Sequence, residues 1–238
     1  MSTPHPPARI YAVFFDAVGT LIHPEPPAGL VYREVGREFG SCRTRDEIET
    51  RFAKAFQQEE TFDRECCWHT NEERELLRWR HIVRSVLDDV SNHEACFQRL
   101  FAHFKRPSAW QCTADASTAL LGLAERNYQV GIASNYDQRL YAVLAGKPEL
   151  QWISHVIISS EVGWRKPASD FFAATKSRCG FAPEDVLYVG DDLANDYEAA
   201  RTAGLHAILF DPQDKHVTGT LFRIRKLSDL LQILQKRQ

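Results

Sequence analysis

Ile10-Tyr11-Ala12-Val13-Phe14-Phe15-Asp16-Ala17-Val18-Gly19-Thr20-Leu21 is the stretch on which the fold turns. Its first six residues are apolar, β-branched or aromatic without a break, the pattern of a buried strand. Asp16 closes the run and Gly19 supplies a turn. In an open α/β sheet the loops at the carboxyl ends of the strands form the ligand crevice, so an acid at this point sits where a reactive group belongs. Alone, Asp16 also reads as a turn former or helix cap. Later segments decide between the two.

From about residue 107 the sequence alternates in type. Helical spacing over 115–126 precedes an apolar strand at 130–133, a helix near 138–144 and a strand at 155–159. A helix at 168–179, a strand at 186–189, a helix at 194–203 and a strand at 206–210 follow. Strands alternating with helices predict parallel βαβ units, and so an α/β fold with a doubly wound, Rossmann-like parallel sheet. A last helix, 227–236, is expected to pack back on it.

The segment between the first strand and this region differs. Pro24-Glu25-Pro26-Pro27 reads as a stiff linker. Beyond it, Leu30, Val31, Val35 and Phe39 recur at helical spacing. Ile48, Phe52, Ala55 and Phe56 do so again after Thr44, an N-cap with Glu47 three residues on. Residues 72–90 and 94–104 give two more helices. Four such helices form a bundle with its own core. The expected division is a core domain from 1–23 and 106–238, interrupted by a helical cap domain over 24–105.

Composition narrows the function classes. The 238 residues carry 29 Lys plus Arg against 32 Asp plus Glu, so no basic field points to nucleic acid. No apolar run nears the roughly 20 residues that span a bilayer. Residues 1–7 lack the basic and apolar regions of a secretory signal and read as a lead-in, so a cytoplasmic setting is expected. The six cysteines do not suggest a disulfide scaffold. Cys66-Cys67-Trp68-His69 and His93-Glu94-Ala95-Cys96 lack finger-like spacing and read as thiols packed in or between helices.

Each βα turn presents a chemical group. The first strand ends in Asp16, and the second is followed by Ser134 and Asn135. Arg165-Lys166-Pro167 follows the third, and Gly190-Asp191-Asp192 with Asn195-Asp196 the fourth. Asp16 and Asp191, with Asp192 or Asp196 nearby, would repel unless a cation sat between them, and hard oxygen ligands suit Mg²⁺. Ser134, N–H groups at a helix start and Lys166 would hold a dianionic phosphoryl group. The set fits attack by a carboxylate through an aspartyl-phosphate.

In this order, Asp-x-x-Gly-Thr-Leu, Ser-Asn, Lys-Pro and Gly-Asp-Asp-x-x-Asn-Asp, the motifs resemble those of the haloacid dehalogenase-like hydrolase superfamily. The helical insert resembles that of its subfamily with a small helical cap. Ser134-Asn135-Tyr136-Asp137-Gln138-Arg139-Leu140 and Asn195-Asp196-Tyr197 are most similar to the rhythmically expressed gene two-like branch. The resemblance implies Asp16 as nucleophile, Thr20, Ser134 and Asn135 on the phosphoryl group or substrate, and Lys166 balancing charge. It implies Asp16, Asp191, Asp196 and the Val18 carbonyl around Mg²⁺, and a small phosphorylated metabolite as substrate. Asp192 ranks below its neighbours, because serine often holds that place.

The pattern breaks at Val18. Family phosphatases usually carry there a second aspartate that acts as general acid and base, and a valine has no proton to give. General acid catalysis contributes about 10²–10⁴-fold, so three readings stand. One is a weak or specialised phosphatase that relies on a good leaving group, on water, or on a surrogate acid such as His23 or Glu25. Another is a carbon–phosphorus hydrolase using a Schiff-base lysine in the insert, where only Lys54 and Lys105 occur; a carbon–halogen dehalogenase would instead be expected to carry tyrosine at Val18. The third is a catalytically quiet binding protein. Substrate choice is expected around His23, Tyr32 and residues 62–69, and the helix containing residues 79–87 reads as cap core or a dimer face, leaving monomer and homodimer open.

Overall fold

The computed structural model describes residues 10–216 and 221–234; the lead-in at 1–7 and the end of the expected helix at 227–236 lie outside them. The chain runs β1 (Ala12–Phe15), β2 (Ile22–Pro24), α1 (Ala28–Glu38), α2 (Arg45–Glu65), α3 (Glu72–Val86) and α4 (His93–His103). Then come β3 (Trp110–Cys112), α5 (Ala116–Ala124), β4 (Gln129–Ser134), α6 (Arg139–Ala145), β5 (His155–Ile158), α7 (Ser159–Val162) and α8 (Ser169–Cys179). It closes with β6 (Val186–Gly190), a π-helical turn (Leu193–Glu198), α9 (Ala199–Thr202), β7 (His206–Phe210), β8 (Arg223–Ile224) and α10 (Leu230–Ile233).

Six strands form one parallel sheet in the order β5-β4-β1-β6-β7-β8. All four residues of β1 are buried, as an unbroken apolar run in a central strand requires. Val13 and Phe15 join a cluster with Leu120 and Leu123 of α5 and Leu230 of α10. Ala12 and Phe14 face the other way, with Phe171 and Phe172 of α8 and Ala200 of α9. The two-residue period of the strand thus feeds two cores, and helices cover both faces. After β1 the chain moves to β4 and β5 on one side and returns to β6 on the other. That reversal opens the crevice at the carboxyl ends of β1, β4 and β6.

The four expected helices of the insert are present. Thr44 accepts from the Glu47 N–H while the Glu47 carboxylate accepts from the Thr44 N–H, a capping box that starts α2. Asn71 and Asn92 start α3 and α4 with similar side-chain caps. Val31, Val35, Ile48, Ile82, Val86 and Phe97 are buried together. Residues 82, 83, 86 and 87 belong to this core, which resolves the cap-core alternative for that stretch.

Three local expectations change. Pro24 is not in a free linker: it ends β2, which pairs antiparallel with β3 at the two stems of the insert. Three residues including a proline are too short to show strand periodicity. The segment at 194–203 is not one α-helix but a π turn followed by α9. There the Tyr197 N–H reaches back to the Asp192 carbonyl at 3.1 Å, leaving Asp196 buried beneath the turn. Finally, residues 227–229 form a 3₁₀ turn before the short α10.

Candidate active site

Asp16 emerges from β1 into a turn whose shape depends on Gly19, at φ +95°. A Cβ there would fall inside the Asp191 carboxylate, so only glycine lets the loop approach β6 this closely. A Cβ on Gly190 would likewise strike Asp196. Asp16, Asp191 and Asp196 consequently converge, with ligand oxygens within 4.8 Å of one another.

Lys166 lies among them. Its Nζ donates to Asp16 Oδ1 and Asp196 Oδ1 at 2.6 Å each, and to the Tyr188 hydroxyl at 2.9 Å. Burial works to discharge this ammonium, but Asp16 and Asp196 outweigh it and hold its pKa well above the ordinary value. Burial raises Asp196 to about 7 despite Lys166, with Asp16 adding repulsion. Crowding by protein, and next the Asp16 charge, push Asp191 up to about 6 although it opens to solvent. One lysine does not neutralise three carboxylates.

The other expected residues divide by what they touch. Ser134 ends β4, is buried, and lines the same cavity as Asp16. Asn135 also lines it, but its Oδ1 accepts from the Lys166 N–H at 2.7 Å and its Nδ2 donates to the Lys166 carbonyl at 3.1 Å. It holds the lysine's main chain. The Thr20 hydroxyl donates to Asp191 Oδ1 at 3.2 Å. Val18 projects into the cavity, 37% exposed. Asp192 accepts from the Ala194 and Asn195 N–H groups at 2.9 and 2.8 Å, so its carboxylate starts the π turn and is not part of the cluster.

Some expected residues are not brought together. Among the described residues that line the cavity, His23, Glu25, Lys54 and Lys105 are absent, and all four are exposed. Residues 62–69 do not line it either. The turn that follows α2 instead docks beside Lys166: Arg165 N donates to the Trp68 carbonyl at 2.9 Å and Thr70 N to the Gly163 carbonyl at 3.0 Å. Its cysteines Cys66 and Cys67 are exposed free thiols, a correction to their reading as packed groups.

Sequence reading missed three parts of the site. Tyr188 holds Lys166 and donates to the Ala133 carbonyl; its only signal is a tyrosine inside an otherwise aliphatic strand. Arg165 pairs with Glu75 of α3 and approaches Asp63 of α2 at 3.4 Å, and Asp63 also binds Arg74 and Arg78. An aromatic wall, of which only Tyr32 was expected to face the substrate, completes the set and is described below.

A family model for haloacid dehalogenase-like hydrolases matches residues 10–204, and the chain belongs to that family of enzymes. Haloacid dehalogenase-like hydrolase domain-containing protein 3 of Danio rerio is 24% identical over 211 residues, covering 87% of each chain. Rhythmically expressed gene 2 protein of Drosophila melanogaster is 26% identical, over 85% of this chain and 83% of its own, in line with the branch the motifs resemble. The solved HAD phosphatase from Thermococcus onnurineus shares the fold at TM-score 0.68 and 24% identity, covering 95% of this chain and 99% of that one. Among the described residues no helix is long and apolar enough to cross a membrane.

Proposed function

We propose that this hydrolase is a Mg²⁺-dependent phosphatase of a small phosphorylated metabolite, working in the cytoplasm through an aspartyl-phosphate on Asp16, with residues 24–105 as a cap over the site. The observation that carries this reading is Lys166 Nζ, 2.6 Å from both Asp16 and Asp196 within a three-carboxylate cluster.

The donor set suits the metal. Three carboxylates within 4.8 Å, two of them with raised pKa values, form an under-neutralised all-oxygen group of the kind a hard divalent cation takes. Asp16, Asp191 and Asp196 would hold it, with the Val18 carbonyl a further oxygen. Mg²⁺ supplies, when bound, positive charge for these carboxylates and for phosphoryl oxygens.

The chain's own residues do the rest. Lys166 orients Asp16 and offsets charge that builds on the phosphoryl group, while Tyr188 and Asn135 fix Lys166 from its two ends. Ser134 offers a hydroxyl at the carboxyl edge of the sheet, and Thr20 acts through Asp191. An Asp16 oxygen attacks phosphorus, the bond to the leaving oxygen breaks, and water later releases inorganic phosphate from Asp16. The insert closes over the crevice and limits water during the first step.

The test is hydrolysis of para-nitrophenyl phosphate and acetyl phosphate with and without Mg²⁺, in wild type and Asp16→Asn. Metal-dependent release abolished by the substitution supports the reading. Folded, metal-loaded protein that cleaves neither compound refutes it.

A further inference from the structure

We infer that the preferred substrate is an aryl phosphate, a monoester whose leaving group is a phenol-type oxygen on a flat ring; this rests on the phosphatase reading above.

The cavity beside Asp16 encloses about 380 Å³, its surface is mostly apolar, and seven aromatic side chains contribute to its wall. The insert contributes Tyr32, Phe52, Phe56 and Trp79. The core side and the stems add Phe104, Trp110 and Tyr136. Tyr32 meets Phe52 edge-on at 5.4 Å, and Phe52 stacks on Phe56 at 6.1 Å. Such a box takes a flat ring by offset and edge-to-face contacts.

Several charged groups around the cavity are already committed to partners. Arg139 is paired with Asp137 at 2.6 Å, Arg165 with Glu75, and Asp192 with the π turn. A sugar phosphate would set several hydroxyls against these ring faces, and each one left unmatched is penalised. A cationic leaving group fares no better. Guanidinium groups already sit 4.7 Å from the Phe56 ring centre, from Arg78, and 5.6 Å from that of Trp79, from Arg139.

Val18 points to the same class by an independent route. It lies in the cavity two residues after Asp16 and cannot protonate a leaving oxygen. An alkoxide, with a conjugate acid near that of water at about 16, leaves poorly without a proton. A phenolate, near 10, depends on that proton far less. In the inferred reaction Asp16 forms a bond to phosphorus and the P–O bond to the ring oxygen breaks. The electron pair stays on that oxygen, which takes its proton from solvent. Water then cleaves the aspartyl-phosphate to inorganic phosphate and free Asp16.

Phenyl, cyclohexyl and acetyl phosphates, assayed as kcat/KM with Mg²⁺, test this, alongside calorimetric binding of phenylphosphonate and cyclohexylphosphonate to the metal-loaded protein. Phenyl phosphate is expected to exceed cyclohexyl phosphate by at least about 10²-fold, the lower end of what a general acid contributes. Phenylphosphonate is expected to bind about 10-fold tighter than its saturated counterpart. Turnover of acetyl phosphate with phenyl and cyclohexyl phosphates alike would overturn the inference and leave the phosphatase reading standing. It would also identify a proton donor, for which Glu60 is the lining carboxylate without a partner among the described residues. No turnover of any of the three, with neither phosphonate bound, would remove the phosphatase reading and this inference with it.

Discussion

Arg165 and Glu75 form a buried ion pair between the segment that carries Lys166 and helix α3 of the insert. Their side chains are 7% and 2% exposed, and the Thr70 hydroxyl donates to the same Glu75 oxygen at 2.8 Å. Arg165 also donates its N–H to the Trp68 carbonyl. The residue immediately before the central lysine is therefore bound to the insert by side chain and main chain together.

Removing one partner strands the other charge in the interior. Glu75→Ala is expected to destabilise the protein by about 3–5 kcal/mol, a fall in Tm of roughly 6–20 °C for a chain of this size. Scanning calorimetry reads this directly. A change of less than a degree would mean that the pair contributes nothing net.

The same carboxyl gives a pH signature. Burial works to raise Glu75, but Arg165 and Arg78 with the Thr70 hydroxyl outweigh burial and hold it below its ordinary 4.5. A depressed folded pKa adds stability that is complete above the unfolded value and lost as pH falls through the folded one. Tm against pH should therefore fall less steeply below about 4.5 in Glu75→Gln than in wild type. Parallel acid limbs would contradict this assignment.

Tyr188→Phe keeps the ring and deletes the hydroxyl that touches Lys166 and the Ala133 carbonyl. Loss of those buried hydrogen bonds should cost about 1–3 kcal/mol of stability. Turnover of para-nitrophenyl phosphate should fall about 10-fold, equivalent to about 1.4 kcal/mol on the barrier. Unchanged turnover in a destabilised variant would limit Tyr188 to packing.

If Mg²⁺ occupies the site as proposed, it should stabilise the fold independently of turnover, because it would bind the folded carboxylate cluster and not the dispersed chain. At a hundred times its dissociation constant the gain is about 2.7 kcal/mol, or roughly 5–10 °C in Tm. Asp191→Asn should lose most of that increment. An equal increment in the variant would place the ion elsewhere.

Val18→Asp introduces an acid where the cavity wall holds an alkyl group. Hydrolysis of cyclohexyl phosphate should rise by at least about 10-fold, part of the worth of a general acid. Phenyl phosphate, whose leaving group depends less on a proton, should change far less. Equal effects on both would show that protonation is not what valine withholds.

The sequence by itself determined the sheet, the insert and the principal acids. Those features are local: the apolar run before Asp16, the alternation of strand and helix, the 3.6-residue spacing behind Thr44. Each is written in neighbouring residues, so it reads without a structure. The four motifs were legible for the same reason, since each βα turn carries its group next to its strand.

Tertiary structure alone decided which of those groups meet. Tyr188 reads as one more buried strand residue until parallel pairing sets its hydroxyl 2.9 Å from Lys166, 22 positions away. His23 and Glu25 are close to Asp16 in sequence, yet His23 sits in the β2–β3 ribbon and Glu25 just past its end, away from the cavity lining. Glu75 is 90 positions from Arg165 and nevertheless pairs with it. The aromatic wall is assembled from three helices, a stem and two loops, each of which shows only its own helical or strand spacing. Contacts of that kind depend on how elements pack, and packing is a property of distances between segments, which no local pattern contains.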